Sequence, residues 1–523
     1  MKRVPAVVAA TALLVGVVVG GVSARTSSSL AYQVADVGAY GGEPSIVSDS
    51  KGVLYDTTPS GGTITYRSTN RGATWQQVTT ADPSSGDDCL ATDQSNAVYL
   101  CNLAGSEGVA PLQADVWKSV DGGTSWSHGE GAIPQCGTSC SPFGVDRDWV
   151  AASILSGKST SKAEVVLMYH DFYGPSQIWV NISHDGGATF GAPREVLAAP
   201  AVTPGAITGT LVAQGYTLCN TVPAGVGIVP PGKPHAGRII VGWIAADLPQ
   251  NATGCNVTMA QAFHTIWISY SDDGGLTWTP QQAFDAGLGH DTSTPFVAFT
   301  LDREGNPYFG FTANATSNPV TCAAESTAGT VQSDPSCEYD MYVVWSSNGG
   351  ATWDGGGGLI PGSAARAYRI SPSSETGTHF YPAIAAGDPG QVDVAYLRST
   401  TILPTDPLGK ADPGGCAGPG PENGNPPTYP PACAWNLYAA QSRNLSSGID
   451  GATWAVTPIT TTPMHIGDIC NLGIFCVAPA SNRNLLDFIM ETIDNRGCAH
   501  VAYADDNTVN KLRVANQTAG PCL

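Results

Sequence analysis

The sequence predicts an all-β chain wound into a single seven-bladed β-propeller. Three observations predict it. An eight-residue pattern, SxDxGxTW, recurs at residues 68–75 (STNRGATW), 119–126 (SVDGGTSW), 183–190 (SHDGGATF), 271–278 (SDDGGLTW) and 346–353 (SSNGGATW). A sixth copy, 447–454 (SGIDGATW), lacks the Asp or Asn at its third position. Each copy closes a unit of four short strands, and units repeated at this spacing stack into propellers or solenoids. The composition agrees: 62 Gly and 38 Pro with only 13% charged residues make a loop-rich β protein that keeps enough apolar residues for a core.

The first element is an export leader. Lys2 and Arg3 start it, residues 4–19 are almost wholly apolar, and Val22-Ser23-Ala24 forms a small-residue cleavage site. Residues 1–24 are therefore expected to be removed, leaving 25–523 as one propeller domain, secreted and extracellular. The apolar run is short for a membrane span, so no membrane insertion is expected.

Blade one begins at Glu43 with EPSIVSD, turns at Lys51-Gly52, and continues through VLYD and TITYRS into the first box and WQQVT. These are strands A to D. Strand A of the next blades begins near Cys89, Asp148, Tyr216, Pro295 and Tyr381. A seventh unit starts at Asp487, has no box and shows three strands. Residues 30–37 (LAYQVADV) are expected to supply its fourth strand and so remove an open sheet edge. Six blades is the alternative count, because strand A of blade four is the least distinct. Within each Asp-box, the Asp or Asn accepts bonds from turn N–H groups. The Gly at position five takes positive φ without a clash, and the closing aromatic ring packs on the hairpin.

The 14 cysteines fall into neighbouring pairs: 89/101, 136/140, 219/255, 322/337, 416/433, 470/476 and 498/522. An even count in an exported chain reads as disulfides. No CxxC spacing supports zinc.

Blade topology sorts the remaining residues. The A–B and C–D turns, boxes included, lie on one face. The B–C and D–A loops lie on the other, with long insertions at 102–115, 245–264, 313–340 and 398–435. A rigid scaffold with elaborated loops on one face is where sites are usually built. Glu43, Asp56, Asp88, Asp146, Arg147, Asp148, His290, Asp291, His379, Arg398, Arg483 and Asp487 fall just before a strand A or just after a strand B, and Tyr381 starts strand A of blade six. They are expected to ring the channel mouth on the loop-bearing face. Arg147, Arg398 and Arg483 suit a carboxylate through their planar forks, with Glu43 and His379 beside them as ligand-binding residues. Asp56, Asp148, Asp291 and Tyr381 are the expected acid, base or nucleophile. The structural reading stands alongside: each residue is a strand-end cap or a local ion pair, Arg147 with Asp148 and Arg483 with Asp487.

No HExxH, P-loop, dinucleotide fingerprint or GxSxG elbow occurs, so no cofactor and no metal is expected. A net charge of −20 with 23 basic residues excludes nucleic acid and anionic membranes as partners.

The boxes, the DRDW segment (146–149), the run HFYPAIAAGDPGQVDVAY (379–396) and GDICNLGIFC followed by RNLLDF resemble the secreted sialidase-like (BNR/Asp-box) proteins of bacteria, across nearly the whole mature chain. The resemblance implies an exo-glycosidase with an arginine triad for the sugar carboxylate, a Tyr nucleophile assisted by Glu, and an Asp acid/base. Where that family carries its first arginine in an Arg-Ile-Pro motif, this chain reads Gly42-Glu43-Pro44. The expectation is a monomeric, exo-α-sialidase-like glycoside hydrolase acting on acidic glycans or glycoproteins at the loop-bearing face. The alternative is a non-catalytic propeller that binds glycan or protein.

Overall fold

A computed structural model describes residues 29–523 except 60–61, 84–85, 105–112, 130–144, 156, 172–176, 198–210, 214–215, 250–262, 287–291, 293–295, 315–338, 354–366, 373–374, 376, 400–409, 412–433, 449–450, 468, 471–483 and 508. The expected leader lies outside these residues.

Seven antiparallel sheets form the blades. Their inner strands A are Ser45–Ser48, Asp88–Thr92, Val145–Ser153, Tyr216–Ile228, Ala298–Leu301, His379–Ala386 and Met490–Ile493. Blade four carries an additional strand, Leu211–Ala213, next to its strand A. Middle strands are covered on both sides and read as continuous apolar runs: Val165 to Tyr169 in blade three are all fully buried. Outermost strands such as Gln76–Gln77 and Ser127–His128 are short, polar and exposed. Residues 30–37 close the ring as expected. Ala31–Asp36 pairs with Lys511–Ala519, placing Val34 opposite Ala515 and Asp36 opposite Arg513.

The core is divided between the blades. Seven apolar clusters occupy the described structure, one at each interface, including Ile46 and Tyr66 of blade one against Ala502 and Val514 of blade seven. Cys89 and Cys101 face each other across strands A and B of blade two and are bonded, as are Cys498 and Cys522. The other five expected pairs lie outside the described residues or have side chains outside them.

Each Asp-box is a hydrogen-bonded turn. In blade three, Ser183 Oγ donates to Asp185 Oδ1 at 2.7 Å, accepts from Gly187 N at 2.9 Å, and Asp185 Oδ1 accepts from Thr189 N at 2.9 Å. The sixth box departs from the sequence reading. Its serine is Ser442, not Ser447, and its third position is not lost but filled by Asn444. A short 3-10 turn, Leu445–Ser447, is inserted before Gly451, and Asn444 Oδ1 still accepts from Thr453 N at 3.0 Å. The box is split rather than worn.

A second repeat governs the A–B turns, and the sequence reading did not isolate it. Asp49, Asp93, Asp302 and Asp494 each accept from the backbone N–H groups two and four residues on. The residue three positions on, Gly52, Asn96, Gly305 or Gly497, has left-handed backbone. The residue six positions on is Tyr55, Tyr99, Tyr308 or His500.

Candidate functional site at the loop-bearing mouth

Four non-glycine residues adopt left-handed backbone where chains enter inner strands: Glu43 (φ 41°), Arg147 (φ 56°), Tyr381 (φ 48°) and Leu486 (φ 55°). Such conformations cost about 1 kcal/mol or more each and persist where surrounding contacts enforce them. The pairing register also breaks between Asp146 and Trp149 and between Phe380 and Ala383. These bulges re-aim side chains out of strand alternation.

Arg147 is the hub. Its Nη2 contacts Asp487 Oδ2 and lies 3.2 Å from Glu43 Oε1, and its Nη1 lies 3.4 Å from Asp87 Oδ2. The guanidinium carbon sits 4.4 Å from the centre of the Phe296 ring and 5.6 Å from that of Phe488. A guanidinium on two aromatic faces is well placed to be held rigid. These acid partners come from the entries to blades one, two and seven, so Arg147 reaches across the mouth.

Beside it stands a chain of buried carboxyl groups: Asp56 in the middle of strand B in blade one (Leu54–Thr58), Asp88 in blade two and Asp148 in blade three. Burial pushes the Asp56 carboxyl well above the usual range, and the Asp88 charge adds to it. Burial does the same to Asp88. The Thr57 hydroxyl offsets part of that rise, while Asp148 and Glu43 increase it. Thr57 Oγ1 has Asp88 Oδ2 at 2.5 Å and the Ile64 carbonyl at 3.1 Å. The Thr57 hydroxyl is the donor to both acceptors, and its bond to Asp88 opposes the burial that favours the neutral form of that carboxyl. Both oxygens of Asp56 are buried without a hydrogen-bond partner among the described residues, as a neutral carboxyl tolerates best.

The remaining expected residues divide. Tyr381 is buried, and its hydroxyl donates to the Leu486 carbonyl, linking blades six and seven. Arg398 Nη1 lies 3.3 Å from Glu375 Oε1 and from the Tyr438 hydroxyl. His379 is fully buried, with Nδ1 2.8 Å from the Tyr339 carbonyl and Nε2 3.9 Å from Glu375. Glu43, Arg147 and Asp487 form one cluster joined to Asp88 and Asp148, whereas Arg398, His379 and Glu375 form another. Arg483, Asp291 and His290 lie outside the described residues.

Sequence reading missed Asp87, Glu375, Phe296, Phe488 and Leu486. Asp87 had a signal, since it precedes Asp88 directly. Phe296 was not singled out in the sequence, and Phe488 entered only as the last residue of RNLLDF. Among the described residues no group of three or more His, Cys, Asp or Glu is arranged to hold a metal ion, and no helix is long and apolar enough to cross a membrane.

No family model matches the chain. Among solved structures, it is similar to an ulvan lyase from a polysaccharide lyase family, at 11% identity over 92% of this chain and 95% of that one, with a TM-score of 0.45. It is similar to Trypanosoma rangeli sialidase at 12% identity over 92% and 59% of the two chains, TM-score 0.41. A third is the α-L-arabinofuranosidase Arb93A from Fusarium graminearum, at 11% identity over 71% and 92%, TM-score 0.36.

Proposed function

We propose that the protein is a secreted glycan-processing enzyme that cleaves a glycosidic bond at the loop-bearing mouth. One observation carries this reading: a buried carboxyl whose pKa burial raises, Asp88, adjoins Asp148 and the Glu43–Arg147 pair where the inner strands converge. Glycoside hydrolysis needs a carboxylic acid to protonate the leaving oxygen and a carboxylate to act as nucleophile or base. In this reading Asp88 donates its proton to the glycosidic oxygen. Glu43 or Asp148 stabilises positive charge on the sugar ring, or accepts a proton from the attacking water. Asp56, behind Asp88, is a positioning residue.

The sialidase-like form of the reading has Arg147 take the carboxylate of an acidic sugar. That sugar must displace Glu43, Asp87 or Asp487 from the guanidinium. Three carboxylates already on one arginine favour a neutral glycan instead. The alternative, a binding propeller without turnover, uses the same mouth.

The test is a panel of fluorogenic glycosides, α-sialosides and neutral furanosides included, offered to the purified mature chain. Turnover on at least one sugar is expected. Activity should fall as pH rises through the elevated Asp88 pKa, because the acid is lost. Asp88→Asn should reduce kcat about 100-fold or more with little change in KM. No turnover on any sugar, or an unchanged kcat in Asp88→Asn, refutes the catalytic reading.

A further inference from the structure

On the opposite, box-bearing side, a cleft of about 410 Å³ runs between the closing strand, the first Asp-box and the A–B turn of blade seven. We propose that this cleft is a second binding site, for a sulfate or carboxylate group carried on a saccharide. It is independent of the mouth and of any activity there.

The repeats themselves supply the comparison. At position four of the Asp-box, blades two to five carry Gly122, Gly186, Gly274 and Gly349, with φ between 67° and 77°. Blade one carries Arg71 at the same left-handed conformation, φ 62°. A side chain there costs about 1 kcal/mol that glycine avoids. At the sixth position after the A–B turn aspartate, blades one, two and five carry tyrosine, and Tyr99 and Tyr308 bond that aspartate at 3.0 and 3.1 Å. Blade seven carries His500. Both departures from the repeat meet on one carboxylate, Asp494. Its Oδ2 is contacted by Arg71 Nη1, lies 3.1 Å from Arg496 Nη2 and 3.2 Å from Arg496 Nε, and lies 3.6 Å from His500 Nε2.

One buried aspartate thus orients two arginines at a cleft rim. Asp494 is fully buried, whereas Arg71 and Arg496 are 37% and 51% exposed. Arg71 Nε and Nη2 and Arg496 Nη1 have no protein acceptor among the described residues. Two cations against one anion leave a positive charge, and planar donors fixed by a carboxylate behind them are preorganised for an oxyanion in front. Asp36, the acid on the lining, is already engaged by Lys511 and Arg513 at 2.9 and 3.2 Å. In a chain of net charge −20 this is a local inversion of sign. Among the described residues no Phe, Tyr, Trp or Leu lines the cleft. The amides of Gln33 and Asn70 and the hydroxyl of Thr518 do, which suits sugar hydroxyls rather than an apolar side chain.

The experiment is isothermal titration of the purified mature chain at low salt. The probes are a sulfated disaccharide, a uronic-acid disaccharide, a neutral disaccharide and sodium sulfate. At least one acidic disaccharide should bind about ten-fold or more tightly than the neutral one and than sulfate ion. Arg71→Gly and Arg496→Gln should each weaken it about ten-fold, as loss of a charge-assisted hydrogen bond implies. Arg71→Gly restores the residue that the other boxes carry. Arg496→Gln leaves the Arg71–Asp494 clasp intact and decides the matter if Arg71→Gly fails to fold. Parent-like affinity in Arg496→Gln overturns the proposal. So does sulfate binding as tightly as the disaccharides, or acidic and neutral disaccharides binding alike.

Discussion

Glu491→Gln should make the protein more stable at pH 8 and leave it unchanged near pH 4. Asp393 on strand B of blade six (Val392–Ser399) and Glu491 on strand A of blade seven meet between the blades, fully buried and 7% exposed respectively. Gln441 Nε2 donates to Asp393 Oδ2 at 2.9 Å, and the Tyr32 hydroxyl of the closing strand reaches Oδ1 at 3.4 Å. No arginine or lysine pairs with either acid among the described residues. Burial pushes the Asp393 carboxyl up to about 6, against the opposing hydrogen bonds from Glu491, Gln441 and Tyr32. Burial and the Asp393 charge raise Glu491 well above the carboxylate range. The folded state therefore holds protons that the unfolded chain has released above about pH 4. Stability is fully present below that pH and declines as pH rises through the folded values. For Asp393 alone, the interval from 3.8 to about 6 corresponds to about 3 kcal/mol. The glutamine amide keeps the volume, removes one titrating group and donates to Asp393. A gain of about 1–3 kcal/mol at pH 8 follows, with no difference near pH 4. Urea unfolding at pH 4.5, 6 and 8, followed by tryptophan fluorescence, measures it. Asp56 and Asp88 add to the parent's slope, so the difference between the two proteins is the readout. A variant that loses the same stability at every pH refutes the shared-proton pair.

Three further outcomes follow from the same contacts. Arg147→Met removes the guanidinium that contacts Glu43, Asp87 and Asp487, and chemical denaturation should show a loss of about 3 kcal/mol or more. Asp185→Ala removes the acceptor of the Ala188 and Thr189 N–H groups; it should lower the melting temperature without altering ligand affinity at the mouth. Deleting residues 29–37 uncovers the edge of Lys511–Ala519, and light scattering should detect association that the parent lacks.

The fold was legible because its signals are local and repeated. A box needs only Ser, Asp or Asn, Gly and an aromatic ring at fixed offsets, and the closing strand shows itself as the piece blade seven lacks. The sixth box was misread because the five-residue insertion after Asn444 breaks the offset while SGIDGATW imitates a copy that lacks only its Asp. The aspartate turn of the A–B corners escaped because Asp-x-x-Gly is common in loops, and only its recurrence ahead of tyrosine distinguishes it. Of the candidate site, the entry residues were legible as a ring, but their partners were not. Arg147 was read as a ligand-binding residue, with a pairing to Asp148, its neighbour in sequence, as the structural alternative. The ring closure delivers Asp487, 340 positions away.

That outcome has a backbone cause. In a regular strand, alternation decides which face a side chain takes, and a residue can be placed by counting. Arg147 and Tyr381 sit at bulges, each with left-handed backbone, so counting fails at both. Along the A–B turns the left-handed positions go to glycine or asparagine, and in the boxes of blades two to five they go to glycine, which relieves the strain. At the mouth the same relief is available and is not taken: Glu43, Arg147, Tyr381 and Leu486 all keep side chains there. Three of them make contacts between blades that glycine has no atoms to make, Glu43 with Arg147, Arg147 with Asp487, and Tyr381 with Leu486. The strained entries and the buried carboxyl groups therefore belong to one arrangement. The inner strands are bent so that side chains from four blades meet over the channel, and the ring of blades, rather than any single hairpin, holds them there.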